Sequence, residues 1–341
     1  MQTRIFLVAT DGVSDGALGI TFDMFRAASR ILALGVAGQR RNVAFDVRVV
    51  GTRRSVVTAS GRRCRADVTL AQAPRLHARD FLIVPGLGLQ TPKAIREAFA
   101  DERLDALVAF VRRANGANAT VAASCTSTFV LAESGLLDGR EATTTWWLAP
   151  LFQERYPRVS LSASRTVVAS GRLLTAGASF AHADLVLALI ARAAGPTLAH
   201  MVARYLLVET RPSQARFMLV EHLRGAEPGL EKLEEFVVAN LARPIDLADL
   251  ARTAGVSCRT LARLVHRVLG TTPMRFVQRI RAEHAVRLLQ TTSASIDVIA
   301  DQVGYREPGA LRRVLRREMG VSPRDLRNAQ LADGAGLDAT P

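Results

Sequence analysis

The chain has 341 residues, 49% of them hydrophobic, and its 45 Lys and Arg stand against 31 Asp and Glu for a formal net charge of +14. That length suits two units that each bury a core, while the longest apolar run, LVLALIARAA, follows Asp184, is interrupted by Arg192, and falls short of the roughly 20 residues that span a bilayer. Three widely spaced cysteines, Cys64, Cys125 and Cys258, form no CxxC pair and suggest neither a disulfide framework nor a zinc site.

At the N-terminus IFLVA is a short apolar run followed by TDG, which reads as a first strand entering a turn rather than a signal peptide. RIFLVAT, FDVRVVG, DFLIVPG and ATVAAS are rich in branched and aromatic residues, and each ends in Gly, Ser or Thr, as strands do before a turn. Helical patterns follow over residues 18–34, 92–99, 103–114 and 126–133. This alternation predicts an α/β unit over residues 1–195, a flavodoxin-like doubly wound parallel sheet with helices on both faces. Ligands of such sheets sit at the carboxyl ends of the strands, where Asp11, Gly86 and Cys125 gather.

The stretch AASCTSTFVLAESGLLDG places Cys125 where a strand meets the start of a helix. Backbone N–H groups and the helix dipole there favour a thiolate, the logic of a nucleophile elbow. The same turn also makes the wall of a pocket that holds a carboxylate, an amide or another small anion without breaking a bond. A nucleophile needs a base and oxyanion donors. His182 in SFAHAD is placed to approach from a later helix, although a lone histidine on an apolar helix is more often packed or hydrogen-bonded.

Residues 196–229 contain Pro196, Pro212 and Pro228 and the helical stretch LAHMVARYLLV, which reads as a packed element followed by a hinge. Beyond it the charge concentrates: residues 250–328 hold 15 Arg against six Asp and Glu, the footprint of a nucleic-acid-binding unit. The same region repeats itself. LADLARTAGVSCRTLARLVHRVLGTTPMRF is echoed by SIDVIADQVGYREPGALRRVLRREMGVSPRDL, with Leu250 and Ala251 matching Ile299 and Ala300, Gly255 matching Gly304, Leu261 matching Leu311, Gly270 matching Gly320 and Pro273 matching Pro323.

Each copy reads as a short helix, a glycine turn and a second amphipathic helix. In the first copy Ser257 is placed as N-cap, Leu261, Leu264, Val265 and Val268 share a face, and Arg259, Arg263 and Arg267 step along the other. In the second, Leu311, Val314, Leu315 and Met319 make the dry face, and Arg312, Arg313, Arg316 and Arg317 cluster away from it. A basic second helix with an apolar back is what reading the major groove requires.

IADQVGYREPGALRRVLRREMGVSPRDLR resembles the second-unit signature of the AraC/XylS transcription regulators. Leu315 and Leu326-Arg327 stand where many relatives carry an aromatic residue and a Tyr-Arg ending. The resemblance implies that the two second helices enter successive major grooves about 34 Å apart, with Ser257, Arg259, Thr260, Arg263, Arg267, Arg306, Arg312, Arg313 and Arg316 facing double-stranded DNA. The segment AASCTSTFVLAESGLLDGREATTTWW, with FLIVPGLG before it and LLTAGASFAHADLVLALI after it, resembles the ThiJ/PfpI, class I glutamine amidotransferase-like superfamily. The whole chain is similar to the GlxA-type branch of AraC regulators, which implies an effector among amino acids or small nitrogen compounds. In that comparison Thr145 stands where many relatives carry histidine, and Ala17 where an acid is common, with Asp15 two residues away.

The expectation is therefore a ligand-sensing unit over residues 1–195, a helical linker over 196–229, a DNA-binding unit over 230–330 and a disordered tail over 331–341. It is a cytoplasmic, ligand-responsive transcription regulator without membrane, metal or cofactor. An unidentified small molecule binds near Asp11, Asp15, Gly86, Cys125, Thr126, Thr145 and His182 and is not turned over. A homodimer is expected, with RNA polymerase as partner if the protein activates. The alternative is an amidase- or hydratase-type enzyme that uses Cys125 and is fused to a DNA-binding unit.

Overall fold

The structure, a computed structural model, describes residues 2–35, 43–209, 211, 214, 228–269, 271–292, 294–319 and 322–323. The chain divides into two compact units, Met1–Gln214 and Ala215–Pro341.

In the first unit β1 (Gln2–Ala9), α1 (Asp15–Ala33), β2 (Ala44–Gly51), the ribbon β3 (Ser55–Val57) and β4 (Arg63–Arg65), β5 (Val68–Thr69) and β6 (Phe81–Val84) follow in order. Then come α2 (Pro92–Ala100), α3 (Asp105–Gly116), β7 (Thr120–Ser124), a 3-10 turn at Cys125–Ser127, α4 (Thr128–Glu133), β8 (Glu141–Ala142), α5 (Ala149–Arg155) and β9 (Ser160–Leu161). The hairpin β10 (Val167–Ser170) and β11 (Leu173–Ala176), α6 (Ala181–Ala194) and α7 (Pro196–Tyr205) complete it. The main sheet has the order β10-β11-β7-β6-β1-β2-β5. Every pairing in it is parallel except the antiparallel edge pair β10 with β11.

Because side chains alternate across a strand, β1 feeds two cores. Ile5, Leu7 and Ala9 join Ile83 of β6 beneath α1, α6 and α7. Phe6 and Val8 join Leu82 and Val84 beneath α2, α3, α4 and α5. This is the doubly wound, flavodoxin-like arrangement, with burial on both faces as parallel sheets require. Helix starts follow local chemistry: the Ser14 hydroxyl accepts from Ala17 N–H at the head of α1, and the Thr91 hydroxyl from Ala94 N–H at α2.

The second unit contains α8 (Pro228–Ala239), α9 (Leu247–Thr253), α10 (Cys258–Leu269), α11 (Pro273–Thr291), α12 (Ile296–Gln302) and α13 (Pro308–Val314), the last running into a wider turn at Leu315–Met319. The repeat becomes two helix pairs, α9 with α10 and α12 with α13. Asp246 and Asp249 form a reciprocal capping box on α9. Ser257 accepts from Thr260 N–H at α10, and Ser295 caps α12. Gly255 and Gly304, which end the first helix of each pair, have φ of +66° and +79°, the left-handed conformation the turn demands. The helical stretch read at LAHMVARYLLV is α7. The tail over 331–341, Leu326, Arg327, Gly270, Gly320, the side chains of Arg267, Val268 and Met319, and residues 215–227 lie outside the described residues.

Candidate functional site

The loops that leave the carboxyl ends of β1, β6, β7 and β11 enclose a pocket of about 420 Å3, together with the β3–β4 turn and the turn after β8. Asp15, Gly86, Cys125 and Thr126 line it, joined by Ser60, Gln90, Trp147 and Ser179. Close approach of two loops makes it possible. A Cβ at Gly86 would stand 3.2 Å from the Cβ of Cys125. The Thr126 hydroxyl accepts from Leu87 N–H at 3.1 Å, and Ser127 donates to Pro85 O.

Cys125 has φ +56°, a left-handed conformation that costs a non-glycine residue roughly 1–3 kcal/mol and is usually met where function demands it. That is the turn of a nucleophile elbow, yet the electrostatics differ from those the sequence suggests. The Cys125 N–H donates to Gly177 O at 2.9 Å and is not free to hold an anion. Burial pushes the thiol above its ordinary pKa, outweighing Thr126 N–H and the hydroxyls of Ser179, Thr145 and Thr126, which pull it down. Burial therefore favours the thiol over the thiolate at Cys125.

Among the described residues Asp15 is the one charged residue of the pocket lining. It accepts from the Thr58 hydroxyl at 2.6 Å, from the Ser60 hydroxyl at 2.9 Å and from Ser60 N–H at 3.1 Å. The bond from Thr58, followed by those from Ser60, holds its carboxyl below the usual range, so it is ionised. Asp11 stands apart: its carboxylate takes Arg53 and Val57 N–H, clasping β3 to the loop after β1 outside the pocket lining. Thr145 is fully buried beside the thiol, and its hydroxyl has no other hydrogen-bond partner among the described residues.

His182 lies beneath the pocket floor, fully buried. Its Nδ1 is 2.8 Å from Ser124 Oγ and its Nε2 2.8 Å from Thr21 Oγ1. Thr21 spends its own proton on Ala17 O at 2.8 Å, so Nε2 must be the donor and Nδ1 accepts from Ser124. Desolvation lowers the His182 pKa to about 4. A neutral imidazole with both ring nitrogens engaged ties α1 to β7. The sequence reading missed Ser60, Trp147 and Ser179 because each arrives on a different turn. The polar character of TASGR around Ser60 was the only local signal.

In the second unit Leu261, Val265, Leu311 and Leu315 are buried, while Leu264 is half-buried. Ser257, Arg259, Thr260 and Arg263 on the first pair are exposed, as are Arg306, Arg312, Arg313 and Arg316 on the second. Both copies thus have a buried apolar back and an exposed front that carries arginines. Between them Arg281 of α11, 9% exposed, donates from Nη1 to Gly304 O at 3.2 Å and from Nη2 to Arg243 O at 2.6 Å, with its guanidinium 5.7 Å from the Tyr305 ring centre. A Cβ at Gly304 would lie 2.2 Å from Leu241 O and 2.7 Å from Arg281.

Residues 3–192 match the DJ-1/PfpI family and residues 250–329 a helix-turn-helix domain. The HTH-type transcriptional regulator GbdR of Pseudomonas aeruginosa is 29% identical over 280 residues, 81% of this chain and 73% of that one. The HTH-type transcriptional regulator GlxA of Rhizobium meliloti is 34% identical over 202 residues, 58% of this chain and 62% of that one. The crystal structure of a protein from Vibrio parahaemolyticus proposed to be a transcriptional regulator covers 60% of this chain and 100% of its own, at TM-score 0.50 and 18% identity, a likeness of fold. The chain belongs to the DJ-1/PfpI family, with a helix-turn-helix domain of the AraC type following it.

Proposed function

We propose that the chain is a sequence-specific transcription regulator whose first unit senses a small molecule without turning it over. The observation that carries this reading is the duplicated helix pair with exposed Arg259, Arg263, Arg306 and Arg312 over two dry cores. Ser257, Thr260, Arg267, Arg313 and Arg316 complete the contact set to double-stranded DNA. Residues 1–195 are the sensor, 196–229 the linker and 230–330 the DNA-binding domain, and the protein acts as a homodimer that engages RNA polymerase where it activates.

The effector occupies the Cys125 pocket. No Lys, Arg or His lines it among the described residues, and its charge is the ionised Asp15. This favours a small molecule that offers Asp15 a hydrogen-bond donor or a positive group over a simple carboxylate. Anisotropy of the full-length protein on duplexes from upstream of its own gene tests the regulator. Binding there about a thousandfold tighter than to scrambled duplexes is the expected result; equally weak, steeply salt-dependent binding to all would remove the specific reading.

The elbow geometry of Cys125 supports one other reading, a cysteine enzyme fused to a DNA-binding domain. The Cys125→Ala variant separates the two. A sensor keeps its DNA affinity and loses only its response to effector, whereas an enzyme loses all turnover.

A further inference from the structure

The last residues of the first unit turn back into it. Arg211 pairs with Asp184 at 2.8 Å and also donates to Phe180 O at 2.7 Å. Gln214, only 4% exposed, enters deeper. Its N–H donates to Ser164 O at 2.8 Å, its Oε1 accepts from Ala178 N–H at 2.9 Å, and its Nε2 donates to Ala163 O at 2.7 Å and to Thr144 O at 3.0 Å. Gly177 makes the space, since a Cβ there would lie 2.1 Å from Gln214 Oε1.

Gln214 holds the same two short segments that hold Cys125. The Thr144 hydroxyl donates to Cys125 O at 2.9 Å, and Gly177 O takes the Cys125 N–H. Thr145 and Ser179, each one residue beyond a Gln214 contact at Thr144 or Ala178, set their hydroxyls against the thiol. The carboxamide fits in one orientation, with acceptors around its nitrogen and a donor at its oxygen. A ligand that moves residues 143–145 or 177–179 therefore leaves the buried amide two choices, to follow or to withdraw, because staying with unmatched groups is costly.

We propose that Gln214 is the positioning residue through which occupancy of the Cys125 pocket reaches the segment leading to the helix-turn-helix domain. Its purpose rests on the sensor reading above; its existence does not. Coupling of this kind is reciprocal, so each end reports on the other.

The test uses the full-length chain with Cys64→Ser and Cys258→Ser, leaving Cys125 as sole thiol. Its rate of reaction with 5,5'-dithiobis(2-nitrobenzoate) rises about tenfold in Gln214→Ala, the scale of losing a buried hydrogen-bonded contact. Arg192→Ala, which loses the bond to Gly171 O at the far end of the β10–β11 hairpin, leaves the rate unchanged. In the reverse direction, alkylating Cys125 with iodoacetamide speeds hydrogen exchange at the Gln214 amide but not at Leu187 within α6. A merely structural Gln214 would not respond selectively to a group on Cys125. An unchanged thiol rate in Gln214→Ala, or Gln214 exchange that moves only in step with Leu187, overturns the proposal. Should Gln214→Ala fail to fold, the exchange measurement on the chain with native Gln214 decides alone. Neither readout involves DNA, so failure of the regulator reading leaves a separate signature.

Discussion

Replacing Arg259 and Arg312 together with alanine lowers affinity for the specific duplex by about a hundredfold or more, at ~1–3 kcal/mol for each contact. The two residues belong to different helix pairs and share no contact, so their losses add. Both are exposed and neither packs a core, so the helical circular dichroism and the thermal midpoint stay as in the parent. Anisotropy at several salt concentrations separates their roles. A phosphate contact lowers the slope of log K against log salt by about one for each residue removed, at equal cost on all sequences. A base contact relaxes preference at one position and leaves scrambled duplexes bound as before. Unchanged affinity in the double variant would move DNA recognition off these helices.

Acid weakens the first unit through His182. The imidazole titrates at about 4 in the folded chain against 6.5 as a free side chain. Above pH 6.5 both folded and unfolded states hold it neutral, and its full contribution is present. As pH falls below 6.5 the unfolded chain takes up a proton that the folded chain refuses, and stability declines until about pH 4, where the folded state takes it too. At about 1.4 kcal/mol per pKa unit the loss is roughly 3 kcal/mol. Urea unfolding followed by tryptophan emission between pH 7 and pH 4 reads it, with His182→Gln as reference because carboxylates also titrate towards the acid end of that range. The variant is less stable at neutral pH, since Ser124 and Thr21 lose their matched partner, and the gap to the parent narrows by that amount on acidification. Parallel curves for the two proteins would show that His182 is not held neutral by its surroundings.

The elements that the sequence discloses are those whose signal is local. β1, β2, β6 and β7 announce themselves as apolar runs closed by turn residues. The helix pairs do so by repetition, by Ser257 and by the glycines that end α9 and α12. The ribbon β3–β4, the paired β8 and β9 and the antiparallel hairpin β10–β11 are only two to four residues long in each strand, too short for alternation to stand out against the surrounding polar residues.

The site divides the same way. Asp15, Gly86, Cys125 and Thr126 are legible because strand ends converge in this sheet. Asp11 leaves the pocket because Arg53 on the following loop claims its carboxylate, a partner 42 residues away in sequence. The thiol's protonation depends on how deeply the turn is buried, a property of the whole unit rather than of ASCTS. Gln214 bonds across 36 to 70 residues to Ala178, Ala163 and Thr144, and nothing in RPSQARF distinguishes it from a surface glutamine.

Arg281 carries a consequence for how this protein acquires new targets. One buried guanidinium bonds the turn of the second helix pair and the approach to the first at once, linking the two pairs through Gly304 and Arg243. On the regulator reading proposed above, following a half-site displaced along the duplex, which each added base pair turns by about a tenth of a helical repeat, would require that link to give. Exposed arginines on α10 and α13 lie outside that link and can be exchanged singly. On that reading the alphabet is open to gradual change, whereas the interval between its words is held by a buried residue.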